Sequence, residues 1–197
     1  MKAKGPKLTL QPLTPERWPD LEAIFTARGC SVARSCWCMY YRVSGRESGL
    51  LNAERAKRNK LAMRKLVAAG PPPGLIGYRG GTPVGWISLG PREHFAKLAK
   101  SPVMKPVDDT PVWSVICFVV PSEHRGQGVA HALLYGAKAW AKRRGARLLE
   151  AYPVDKAGHG DDQNYWFGTK SMFDAAGFEE VARRKATRPI VRLRLAR

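Results

Sequence analysis

No apolar run in the sequence approaches the length of a membrane span, which excludes a membrane-crossing helix. The opening residues, MKAKGPKLTL, also lack the hydrophobic region of a secretory signal. The expectation is a soluble, cytoplasmic protein with no membrane partner. Cysteine is sparse. Cys30, Cys36, Cys38 and Cys117 do not read as a disulfide framework, because cytosolic chains keep their thiols reduced. Cys30, Cys36 and Cys38 lie close together, but no neighbouring histidine completes a zinc set, so no metal is expected. Two nucleotide motifs are missing as well. No Gly-Lys-Ser/Thr run exists to form a P-loop, and after Gly126-x-Gly128 the third glycine of a dinucleotide fingerprint is replaced by His131. These gaps argue against hydride chemistry. There is no internal repeat, low-complexity tract or interdomain linker, and 197 residues suit one domain spanning 1–197.

Carboxylates are the other shortage. Sixteen Asp and Glu face 34 Lys and Arg, for a formal net charge of +18. That balance admits a nucleic-acid partner, an anionic small ligand or a generally basic surface. The basic residues are spread along the chain, with crowding at Lys57, Arg58, Lys60, Arg64 and Lys65 and again from Arg183 to Arg197.

A hydrophobic fraction of 44% provides for a substantial core. The organising stretch runs from Trp113 to Asp155: a strand at Val115–Val120, a glycine-bearing turn, a helix from about Gly128 to Arg144, and a strand at Leu148–Tyr152. Ala130, Leu133, Leu134, Ala137 and Ala141 form the helix's apolar stripe. A turn whose amides open onto a helix N-terminus is an anion site, with phosphate the usual ligand. Upstream, Leu8–Leu13 reads as a strand. Thr14-Pro15-Glu16 starts a helix with Trp18, Leu21, Ile24 and Phe25 on its apolar face. Ser35–Arg42 reads as a possible extended stretch, with Cys36, Cys38 and Tyr40 on one side. A helix follows over Asn52–Ala69, then a hairpin from Leu75 to Leu89 and a short helix over Pro91–Lys100. Ser101–Pro111 is irregular. After a polar loop over Asp155–Asn164, Thr169 caps a short helix, and Phe178–Arg183 and Ile190–Leu195 close the chain as strands. This order describes a mixed α/β sandwich with one parallel crossover at its centre.

Val120 followed by Arg125-x-x-Gly128-x-Ala130, a Leu-Leu helix, a further strand and a closing Ala-Gly-Phe resembles the GNAT superfamily of acyl-CoA-dependent N-acyltransferases. The resemblance covers essentially the whole chain in element order. It is strongest over Trp113–Tyr152 and Gly168–Arg183. It implies a GNAT-like α/β (α+β) fold, with a mixed, mostly antiparallel central sheet and helices on both faces. It also implies an acetyltransferase that uses acetyl-CoA as co-substrate, with direct attack of a primary amine on the thioester and no metal. Gly126, Gln127, Gly128, Val129, Ala130 and His131 would hold the diphosphate of coenzyme A on their amides, the two glycines allowing close approach. Phe118, Val119 and Val120 would pair with the pantetheine arm. Arg125 opens the motif, and its side chain either holds the loop or touches phosphate.

The catalytic half is less determined. Where many family members carry a tyrosine acid, this chain has Phe173, and where some carry a strand carboxylate it has Trp113-Ser114. Glu150 and Tyr152 share a strand face and are the first candidates for proton transfer or substrate binding, against a surface glutamate and a packed tyrosine. Cys36, Cys38, Tyr40 and Trp86 are candidates for the acceptor pocket. A covalent cysteine mechanism would need a partnered base, and no histidine is adjacent. Asp108-Asp109 is either a local patch for a cationic amine or a turn. The acceptor would be a small-molecule or peptide amine. Alternatives are an amine carried by RNA or a ribosomal protein, and a non-catalytic module that senses CoA or binds nucleic acid. A homodimer is possible.

Overall fold

Seven strands, the central ones rich in β-branched, aromatic and aliphatic residues, pair into one sheet in the computed structural model, which describes residues 8–43, 52–155 and 166–196. They are β1 (Thr9–Pro12), β2 (Gly74–Arg79), β3 (Thr82–Pro91), β4 (Trp113–Val119), β5 (Leu148–Ala151), β6 (Glu179–Arg183) and β7 (Pro189–Arg194). The sheet order is β1-β2-β3-β4-β5-β7-β6. Every pairing is antiparallel except β4 with β5. A parallel pair needs a long crossover, and α5 (Val129–Arg143) supplies it. The mixed, mostly antiparallel sheet with helices on both faces is thus the observed architecture.

Alternation along the strands divides the core in two. Ile76, Trp86, Ile116 and Val119 pack with Leu21 and Phe25 of α1 (Trp18–Thr26) and Met63 of α3 (Asn52–Ala69). Leu75, Ile87, Val115 and Phe118 pack with Leu133, Leu134 and Ala137 of α5 and Phe173 of α6 (Lys170–Ala175). The sequence stop signals hold. α3 ends before Gly70 and three prolines, and the Thr169 hydroxyl accepts from the Met172 amide at 3.3 Å to cap α6. The short helix expected over Pro91–Lys100 is a 3-10 turn at Arg92–His94 followed by α4 (Ala96–Ala99). Most of the polar loop expected after Asp155 lies outside the described residues.

One expectation fails. Ser35–Arg42 is not extended: α2 (Ser31–Cys36) occupies its start, and Trp37 and Cys38 turn the chain at φ 49° and 52°. Such left-handed backbone is unfavourable for large side chains. Burial of Trp37 offsets the cost, since its ring stacks on Trp18 at 5.6 Å and on Phe25 at 5.1 Å. Bulky residues at alternate positions mimicked a strand, while the packing that decides the matter comes from a different helix.

Gly74 of β2 shows how closely the sheet is filled. A Cβ there would stand 2.2 Å from the Ile87 carbonyl oxygen and 2.6 Å from the Trp86 ring. Gly74→Ala is expected to destabilise the protein by about 1–3 kcal/mol, the usual range for overpacking a core. Urea denaturation measures this, and an unchanged midpoint would contradict it.

Candidate active site

Pro121 stops β4, a 3-10 turn follows at Ser122–His124, and the chain enters α5 through Gly126 and Gly128 at φ 68° and 74°. A side chain would be strained at either position, yet a Cβ built there meets nothing within 4 Å. The glycines therefore present bare backbone to open space. The Ala132 amide bonds the Gly128 carbonyl at 3.0 Å. The amides of Val129, Ala130 and His131, which precede it, stand at the positive end of a 15-residue helix. Arg125 holds this loop rather than reaching into it. Its Nε donates to the Val120 carbonyl at 3.0 Å and its Nη2 to the Gly29 carbonyl at 2.6 Å.

The turn borders a cavity of about 1110 Å³. The cavity opens where β4 and β5 separate: they pair only from Trp113–Leu149 to Val115–Ala151. Beyond that point the chain around Gly168 fills the gap, with the Val154 amide donating to the Gly168 carbonyl at 2.9 Å. The Phe118 amide donates to the Trp166 carbonyl at 2.6 Å.

Of the residues singled out from sequence, Phe118, Val119, Val120, Arg125, Gly126, Gly128, Val129, Ala130 and His131 line this cavity, as do Cys36, Cys38 and Tyr40. Gln127 does not. Its side chain is held outside, accepting from Arg79 at 2.6 Å and donating to the Glu123 carbonyl at 2.7 Å. Trp86 is a correction: it is fully buried, does not line the cavity, and donates its indole N–H to Cys38 Sγ at 3.3 Å. Its position in β3 turns it into the core beneath the site. Cys30, Cys117 and Tyr41 join the cavity wall without having been expected there. Burial pushes the Tyr41 hydroxyl up to about 12, so it keeps its proton at neutral pH. Phe173 is buried against Phe118 and Phe178, at 6.1 and 5.0 Å between ring centres, which makes the usual tyrosine position apolar.

Glu150 and Tyr152 lie together, but neither is at the surface nor on the cavity wall. The Tyr152 hydroxyl donates to Glu150 Oε1 at 2.6 Å, accepts from Arg92 at 2.6 Å and meets Ser114 Oγ at 2.9 Å. Arg92 also pairs with Glu150 directly, while Arg192 donates to Glu150 Oε2 at 2.8 Å and to Asp108 Oδ2 at 2.6 Å. Burial, with the Glu150 charge beside it, pushes the Tyr152 hydroxyl well above its ordinary value, so it serves as a donor. Arg192 holds the Asp108 carboxyl well below the usual carboxylate range. The Thr110 amide bonds the same carboxylate at 2.9 Å, so Asp108 forms a paired turn. Arg92, Arg192 and Ser114 were missed from sequence. The register supplies the signal, since Glu150 stands opposite Arg192 on β7 and Ser114 on β4.

Among the described residues no group of three or more His, Cys, Asp or Glu side chains could hold a metal ion, and no helix is long and apolar enough to cross a membrane.

The family model for the acetyltransferase (GNAT) family matches residues 35–161. Among solved structures, the chain is similar to an acetyltransferase from Thermus thermophilus, at 19% identity and a TM-score of 0.51, covering 96% of this chain and 97% of that one. It is similar to the PaiA N-acetyltransferase from Thermoplasma acidophilum in complex with coenzyme A, at 16% identity and a TM-score of 0.53, over 95% and 99%. A ribosomal-protein-alanine N-acetyltransferase from Brucella melitensis matches at 20% identity and a TM-score of 0.51, over 95% and 99%. Among curated proteins no sequence match is found.

Removing one partner from a buried ion pair strands the others. Glu150→Gln is expected to lower stability by about 3–5 kcal/mol, because two guanidiniums lose their shared carboxylate. Thermal and urea unfolding check this; a variant as stable as the parent would contradict the network's structural weight.

Proposed function

The chain belongs to the acetyltransferase (GNAT) family, and on that premise we propose that it transfers an acetyl group from acetyl-CoA to a primary amine. The observation that carries the reading is the pair of bare glycines at the mouth of α5, opening on a large cavity where β4 and β5 part. The amides from Gly126 to His131 bind the diphosphate, and Arg125 keeps their loop in shape. The rim of β4 at Phe118, Val119 and Val120 takes the pantetheine arm as a strand would be taken, which requires the Trp166 carbonyl to release the Phe118 amide. Acetyl-CoA supplies the activated acyl group. The acceptor amine approaches from the side walled by Cys36, Cys38 and Tyr40. Glu150 and Tyr152 act through position rather than by proton transfer, bracing β4 and the 101–111 loop from below. The whole chain acts as one domain.

The acceptor is a small-molecule or peptide amine. A second reading, in which the amine is carried by RNA or a ribosomal protein, is favoured by the exposed basic residues Lys57, Arg58, Arg64 and Lys65 on α3. Binding to RNA that weakens steeply with salt supports this reading; indifference to RNA at low salt removes it.

Two measurements test the proposal. Thiol release from acetyl-CoA, screened across small amines, amino acids, peptides and aminoacyl-tRNA, should identify at least one acceptor. Tight CoA binding with no turnover on any amine would instead favour a CoA-sensing module. Gly128→Asp places a carboxylate where the diphosphate is to lie, and should weaken acetyl-CoA binding by calorimetry at least about tenfold, the scale of one lost hydrogen bond to a charged group. Unchanged affinity would move the diphosphate elsewhere.

A further inference from the structure

A second cavity, of about 450 Å³, borders the end of α5 farthest from the glycine turn, about 22 Å along a helix of 15 residues. It sits among the C-terminal end of α3, the proline run that follows, the end of β3 and the start of β4. It shares no lining residue with the larger cavity. Trp113, Trp140, Leu89 and Met39 give it apolar walls, the two tryptophan rings meeting edge to face at 5.6 Å between centres. Its charged groups are Arg42 and Arg144, with His94 also in the wall, and among the described residues no carboxylate lines it. Arg42 is the unusual member. Its Nη2 donates to the Pro73 carbonyl at 3.2 Å and lies 3.5 Å from Ser88 Oγ, while the guanidinium lies over the Phe95 ring at 4.2 Å. Its Nε is buried with no hydrogen-bond partner, and among the described residues no carboxylate pairs with the group. Burial lowers the guanidinium to about 10, so it stays charged at neutral pH. Charges are seldom buried without a counter-ion. Arg144 adds a second cation, over the Trp140 ring at 5.2 Å. The amides of Arg144, Gly145 and Ala146 take up the last carbonyls of α5, which softens the negative end of the helix toward an anion.

We propose that this cavity is a binding site for a small aromatic carboxylate. The Arg42 and Arg144 guanidiniums take the carboxylate, whose planar geometry they match, and the aromatic ring packs against Trp113, Trp140 and Leu89. A single negative charge suits these walls better than a phosphate dianion, which costs more to strip of water. The volume falls within the roughly 300–1,000 Å³ of ordinary small-ligand pockets, and apolar walls with a few converging polar groups are their usual form. The bound anion supplies the counter-charge that the protein does not give Arg42. Met39 and Arg42 face this cavity while Cys38, Tyr40 and Tyr41 face the larger one, so an occupant holds a stretch of chain that walls both. The site stands on these side chains alone and does not depend on acyl transfer.

The test titrates the isotope-labelled full chain with naphthoate and follows its amide and indole N–H signals by correlation spectroscopy. The uncharged naphthamide and inorganic phosphate serve as controls. The expected result is saturable shifts of the Trp113 and Trp140 indole N–H signals. Naphthamide should bind at least about tenfold more weakly, the scale of one hydrogen bond to a charged group, and phosphate should not compete. Arg42→Met should weaken naphthoate by a similar factor. So should Arg144→Ala, which alters an exposed residue and leaves the fold intact. Naphthamide binding as tightly as naphthoate, competition by phosphate, shifts confined to the turn entering α5, unchanged affinity in either variant, or no saturable shift would overturn the proposal. Arg144→Ala and the naphthamide comparison decide it even where Arg42→Met fails to fold.

Discussion

β4 and β5 run parallel, pair at three positions and then part. Much else follows from that constraint. A parallel pair forces the chain to leave the sheet and return, and the return is made by α5, whose mouth must sit at the C-terminal end of β4. Among the described residues, the early parting leaves one side of β4 without a neighbouring strand from Ile116 onward. It also opens the cavity directly beside the helix mouth. The glycine turn, the helix amides and the cavity-lining end of β4 are thus consequences of one topological choice, and they are the parts an anionic, extended ligand would use.

The buried charge network lies on the paired side of that parting. Glu150 stands opposite Ser114 on β4 and Arg192 on β7; its carboxylate bonds Arg192 directly and is linked to Ser114 through the Tyr152 hydroxyl, at the rung just before the last pairing. Arg92 and Arg192 extend the clamp to Met104 and Asp108 in the 101–111 loop. The net charge of +18 helps to explain the arrangement: with few carboxylates in the chain, one buried glutamate serves two guanidiniums. A carboxylate so enclosed is suited to holding strands together and poorly placed to meet a substrate.

Sequence made the turn entering α5 legible because its determinants are local. Arg125, Gly126 and Gly128 act through backbone conformation within a few residues, and the bounds of α3 follow from its own stop signals. The opposite cavity wall depends on residues brought from afar. Trp37 takes a left-handed conformation because Trp18 and Phe25 bury it, and no local period records that. Glu150 and Tyr152 were recognised as sharing a face, but their partners follow only from the register of β5 against β4 and β7. The turning of Trp86 toward Cys38 had no signal in the sequence at all.

The central claim is that the turn entering α5 and the cavity-lining end of β4 form a single coenzyme A site. Hydrogen–deuterium exchange with and without acetyl-CoA tests it most directly. The account predicts slowed exchange at the amides of Gly126 to His131 together with those of Phe118 to Val120. Protection confined to other segments, with the turn and rim exchanging as in the free protein, would contradict it.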